Sequence, residues 1–95
     1  SRALTQAMQD FMRQVRQKNP QAKIVWAAGG IMADYLDEAD DAVDSLGGPQ
    51  KGYYVCPLPC GPNKGGNGHP TVEQHRSMAD SLVAFLRRNP LVPAA

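Results

Sequence analysis

No apolar run in this sequence approaches the roughly 20 residues needed to span a bilayer. Nor does either sign of charge prevail: ten Lys and Arg against nine Asp and Glu leave a formal net charge of +1. So even a balance gives nucleic acid and anionic membranes nothing to hold, and neither is expected as a partner. Aromatic residues are scarce, with one Trp, three Tyr and two Phe among 95 residues. A chain of this length buries only about 60–65% of its unfolded surface, so it supports one thin core at most. Cysteine is limited to Cys56 and Cys60. The pair permits one disulfide, which a secreted setting would favour. Two unpaired thiols, or pairing with a segment outside the chain, are the alternatives. There is no internal repeat. The opening stretch from Ser1 to Lys18 is polar and amphipathic and has no apolar signal-peptide core.

What is present is a sequence of alternating patterns. Leu4, Ala7, Met8, Phe11, Met12 and Val15 form the stripe of an amphipathic helix, which Asn19-Pro20 stops. Ile24-Val25-Trp26-Ala27-Ala28 is a continuous apolar run before Gly29-Gly30, and predicts a buried strand. Met32, Tyr35, Leu36, Ala39, Val43 and Leu46 share one face of a second helix, ended by Gly47-Gly48-Pro49. Its opposite face carries Asp34, Asp37, Glu38, Asp40, Asp41 and Asp44. Tyr53-Tyr54-Val55-Cys56 predicts a second strand, which Pro57 and Pro59 confine to an edge or an end. Gly61–Gly68 is a loop by composition. A last helix starts near Thr71, where Thr71 and Gln74 have capping-box spacing. Its expected apolar face is Val72, Met78, Ala79, Leu82, Val83 and Leu86, and Arg87 and Arg88 suit its negative end.

Helices alternating with strands imply an α/β fold with parallel strands joined by crossovers. Two strands make a narrow parallel sheet, since such sheets are normally wider and covered on both faces. The expectation is therefore a single partial domain, a portion of something larger.

The stretch richest in chemistry is Gly66-Asn67-Gly68-His69-Pro70-Thr71-Val72-Glu73-Gln74-His75. It sets His69 at the exit of a Gly-rich loop and at the mouth of a helix. In α/β folds, ligands bind in clefts that such loops border. An imidazole there can take a proton from a nucleophilic hydroxyl and return it to a leaving alcohol. The bland alternative is a histidine that merely begins a helix.

This stretch resembles the last sequence block of the SGNH (GDSL) hydrolases, and within them carbohydrate esterase family two. Those enzymes end in a loop, an acidic-x-His-Pro turn and a helix patterned like Val72-Glu73-Gln74-His75-Arg76-Ser77-Met78-Ala79. Upstream, Ile24–Met32 is similar to the family's strand with a Trp near its end, followed by a Gly and Met turn. The segment Val15–Ile24 is similar to what precedes that strand. The resemblance runs in order from about Leu4 to Leu86. It implies that residues 1–95 are the C-terminal part of a three-layer α/β/α sandwich with parallel strands. It also implies serine-dependent hydrolysis of acetyl esters, on carbohydrate, by a secreted enzyme that needs no cofactor. It also implies His69 as the catalytic base and Trp26 as a wall of the substrate cleft. A core aromatic is the other reading of Trp26, and a packing or capping role is expected for His75.

Two departures qualify the resemblance. The family often carries an Asp two or three residues before its His, where this sequence has Asn67 and Gly66. A Ser-His dyad is then expected, with a backbone carbonyl orienting the ring in the region of Asn67. The Gly-Asp-Ser nucleophile block and the oxyanion-hole Asn block are also missing. Ser1, Ser45, Ser77 and Ser81 include none in a strand-to-helix nucleophile turn. The partners expected are thus an acetylated carbohydrate or other small ester, and the segment bearing the serine. The chain alone should be inactive.

Other chemistries compete. Cys56, Cys60, His69 and His75 could make a small zinc-binding module, although the gap between the pairs is short of the usual dozen residues. Asp40-Asp41-Ala42-Val43-Asp44 mimics a box that binds magnesium diphosphates, against which stands a solvated helix face. Lys64-Gly65-Gly66-Asn67-Gly68 lacks the Gly-Lys-Ser/Thr ending of a phosphate loop. An interaction domain without an active site would leave the Gly-rich approach to His69 unexplained.

Overall fold

The computed structural model describes residues 1–29, 34–59 and 65–91, apart from the side chain of Asn67. Among them are three α-helices and two strands: α1 (Arg2–Lys18), β1 (Ile24–Gly29), α2 (Leu36–Ser45), β2 (Tyr53–Leu58) and α3 (Val72–Arg88). Short 3-10 turns occupy Gly48–Lys51 and Gly66–Gly68. The fold is mixed α/β, and β1 and β2 pair in parallel as an open two-stranded sheet. Parallel neighbours require a crossover, and α2 lies in the connection between them. The chain divides into two compact units, Ser1–Trp26 with Tyr35–Val55, and Ala27–Asp34 with Cys56–Ala95.

In the first unit, Ser1 caps α1 by accepting from the Leu4 amide at 3.2 Å, and Asn19 closes the helix by donating its own amide to Arg16 O. The buried cluster joins Met8 and Met12 of α1 to Ala39, Ala42 and Val43 of α2 and to Tyr53 of β2. Leu4, Ile24, Trp26, Leu46 and Val55 pack against it, half-buried. The alanines leave room between the helices, which the flexible methionines fill. The stripe on α1 is narrower than its sequence suggests. It centres on Leu4, Met8 and Met12, four residues apart, so Ala7 and Phe11 fall one step (100°) round the helix and are exposed. Phe11 nevertheless meets Trp26 edge to face, with centroids 6.2 Å apart. Met32, expected on the α2 face, lies outside the described residues; Tyr35 is exposed.

Arg16 joins two turns of this unit. Its Nη1 donates to the carbonyls of Asn19 and Pro20 at 3.4 Å each, and to that of Ala22. Its Nη2 donates to Lys51 O at 2.8 Å and Gly52 O at 3.4 Å. The guanidinium carbon sits 4.8 Å from the centre of the Tyr53 ring. At position 52 φ is +84°, a left-handed conformation that favours glycine, and a Cβ there would also lie 2.8 Å from Nη2, so the Arg16 side chain would have to shift.

In the second unit, β1 ends against β2. A Cβ on Gly29 would come within 2.2 Å of Leu58 O, which only glycine avoids. β2 continues through Pro57 to Leu58, two residues beyond the run predicted from Tyr53 to Cys56. Pro57 is exposed, as an edge position allows. On α3 the expected apolar face is rotated. Gln74 and Phe85 are buried, with Met78, Leu82 and Leu86 half-buried, whereas Val72, Ala79 and Val83 are exposed. Gln74, Met78, Ser81 and Phe85 follow the three-and-four spacing, and that row, not the one through Val72 and Val83, faces inward.

Candidate active site

The turn that presents His69 is closed by its own backbone. The Gly65 amide donates to His69 O at 2.7 Å, and the His69 amide donates to Gly66 O at 3.2 Å. Gly68 takes the left-handed conformation, with φ of +74°, which reverses the chain just before the histidine. His69 itself is extended, with φ of −87° and ψ of 156°. Both of its backbone groups are therefore used within the turn. The end of the Gly-rich loop, from Gly65 to His69, is a hydrogen-bonded ring.

The following residues fix the exit. Thr71 caps α3: its Oγ1 accepts from the Gln74 amide at 3.1 Å, while the Gln74 Oε1 accepts from the Thr71 amide at 2.8 Å. The capping box read from the sequence is thus complete. Between these two closures the His69 imidazole is exposed, and among the described residues it makes no hydrogen bond or ion pair. A ring held only through its backbone and open to solvent can meet an incoming hydroxyl, provided a second group orients Nδ1. The Asn67 side chain lies outside the described residues, as does the orienting role assigned to that region.

His75 is exposed in the first turn of α3, and the cap there is made by Thr71 and Gln74, so it has neither the packing nor the capping role expected of it. Position 75 stands next to the inward row through Gln74 and Met78, 100° away from it, which turns the ring to solvent. Cys56 is 1% exposed on β2 as a free thiol, and its Sγ donates to Pro57 O at 3.8 Å. Burial pushes this thiol above its ordinary value of 9.0, opposed by the positive charge of Arg88. Cys60 lies outside the described residues, and the proposed Cys56–Cys60 disulfide with it. Among the described residues no three His, Cys, Asp or Glu side chains gather as a metal would need. A buried Cys56 and exposed His69 and His75 are a poor start for a tetrahedral zinc site.

The remaining candidates lie away from the His69 turn or outside the described residues. Trp26 packs on the α1–α2 core and on Phe11, which accounts for its placement without a ligand. Asp40, Asp41 and Asp44 are exposed on α2 as a solvated face. Ser45 is engaged: its Oγ accepts from Gln9 Nε2 at 2.7 Å and donates to Ala42 O at 2.8 Å. Ser77 is exposed and Ser81 half-buried, both well inside α3, so neither occupies a nucleophile turn. Lys64 lies outside the described residues, and so does the phosphate-loop reading that depends on it. Sequence reasoning missed Gly65, whose contact with His69 O is the tightest in the turn, and Arg16. The only signal for Gly65 was its place in a Gly-rich run.

No family model, curated protein or solved structure matches this chain. No helix among the described residues is long and apolar enough to cross a membrane.

Proposed function

We propose that this chain is the histidine-bearing part of a secreted, serine-dependent carboxylic ester hydrolase acting on acetyl groups carried by carbohydrate. The observation that carries the reading is the exposed His69 imidazole, set between a backbone-closed turn and a capped helix, with its own backbone fully engaged. The resemblance of Ile24–Met32 and Gly66–Ala79 to the SGNH hydrolases supplies the reaction class.

In this reading the nucleophilic serine and the oxyanion-hole donors belong to polypeptide outside these residues. His69 takes the proton as the serine Oγ attacks the acetyl carbon, and hydrogen-bond donors stabilise the tetrahedral oxyanion. His69 then delivers that proton to the departing sugar oxygen. Water repeats the sequence to release acetate and restore the serine. With Asn67 and Gly66 standing where the family often carries an Asp, the imidazole works as half of a dyad, its tautomer set by a carbonyl.

The test is His69→Ala in the polypeptide that carries this chain together with its serine block. Turnover of an acetylated sugar should fall about 10²–10⁴-fold, the usual contribution of a general acid–base, with the thermal midpoint unchanged. Retained turnover would remove the assignment.

A further inference from the structure

We infer that Gly65 is a positioning residue for His69, and that the lack of a side chain at position 65 sets where the imidazole stands. The inference rests on His69 being the base, and it adds a residue to which neither composition nor the family resemblance assigns a role.

Three observations converge. The Gly65 amide makes the shorter of the turn's two hydrogen bonds, 2.7 Å to His69 O. A Cβ at position 65 would lie 2.5 Å from that same oxygen, 3.0 Å from Pro70 O and 3.2 Å from the His69 carbonyl carbon. These neighbours are backbone atoms and cannot swing aside as a flexible side chain would. The third observation is a built-in control one residue on: a Cβ at Gly66 would meet nothing within 4 Å, and Gly66 does not have a positive φ.

An alanine at position 65 must therefore push the His69 carbonyl away. Reaching an ordinary contact of 3.4 Å from 2.5 Å means a displacement of about 0.9 Å. Downstream, the chain is anchored by the Thr71–Gln74 box, so the strain falls on His69 and Pro70. A catalytic group misplaced by about an ångström loses on the order of 10²-fold in rate.

The experiment compares Gly65→Ala with Gly66→Ala in the same serine-bearing polypeptide. Gly65→Ala should lower kcat on an acetylated sugar about 10²-fold while KM holds, and Gly66→Ala, which keeps the carbonyl that accepts from the His69 amide and adds a Cβ where there is room, should lower it far less. Two NMR readouts do not depend on turnover. Gly65→Ala should shift the His69 imidazole carbon resonances and release the protection of the residue-65 amide from hydrogen exchange, and Gly66→Ala should do neither. Unchanged resonances and protection in Gly65→Ala overturn the inference whatever the activity. Should Gly65→Ala fail to fold, the wild type decides: an unprotected Gly65 amide overturns the inference, and a protected one supports it. If instead His69→Ala keeps its activity, the proposed function falls while the exchange and resonance results still judge the positioning.

Discussion

In the unit of Ser1–Trp26 and Tyr35–Val55, order comes from side chains that meet across long stretches of sequence. Met8 and Met12 reach Ala39, Ala42, Val43 and Tyr53, and Arg16 reaches carbonyls 35 and 36 residues away. In the unit of Ala27–Asp34 and Cys56–Ala95, the order around the candidate site comes from groups three to four residues apart. Gly65 bonds His69, His69 bonds Gly66, and Thr71 and Gln74 bond each other. The buried cluster contains no residue of this second unit. Packing over long separations is lost cooperatively, whereas local closures can be opened one at a time. The difference suits a division of labour, with a packed scaffold in one unit and a histidine presented by short-range geometry in the other.

The largest effect that would sharpen this contrast is Met12→Ala. Met12 is fully buried in the centre of the first unit, so truncation removes transfer energy and leaves a cavity between α1 and α2. A loss of about 2–5 kcal/mol is expected, read from urea unfolding followed by fluorescence. Trp26 is the single tryptophan and packs against the same cluster, so its emission reports this unit directly. A loss below about 1 kcal/mol would mean that packing is not what holds the unit, and the contrast would break.

The same division explains what could be read from the sequence. Helix ends were legible because their chemistry is local: Asn19-Pro20 after α1 and the Thr71–Gln74 box before α3 both stand where spacing put them. The alternation of helices and strands gave the α/β class for the same reason. Which row of a helix faces inward depends on distant partners. Spacing alone therefore overstated Phe11, Val72 and Val83, and missed Gln74 and Phe85. Arg16 was invisible because its carbonyl partners at Lys51 and Gly52 become neighbours only in the folded chain. At the candidate site, the type and place of His69 were plain. The ring that closes through Gly65 was not, since composition marks a Gly-rich run as loose whether or not its amides are paired.

A smaller effect belongs to the second unit. Thr71→Ala removes the Oγ1 that accepts from the Gln74 amide at 3.1 Å, and with it half of the capping box. About 1 kcal/mol should be lost, with faster hydrogen exchange concentrated in the first turn of α3. Exchange rising equally through α1 and α2 would show that this closure is not local, and the two units would then respond as one.

The smallest effect concerns Cys56, whose thiol is held neutral by burial more strongly than Arg88 favours its ionisation. Its pKa in the folded chain therefore stands above the ordinary value of 9.0 that it regains on unfolding. Above pH 9.0 the unfolded chain gives up this proton while the folded chain keeps it, so the folded state binds more protons there. Stability then falls as pH rises from 9.0 through the folded value, and the contribution is complete below that window. Comparison with Cys56→Ala isolates the contribution of the thiol. The gap in unfolding free energy between the two proteins should be constant at neutral pH and narrow steadily above 9.0. A gap that stays flat would mean that Cys56 is not a buried free thiol in solution. Pairing with Cys60 would give that flat result, and the second unit would then have a covalent tie that the first lacks.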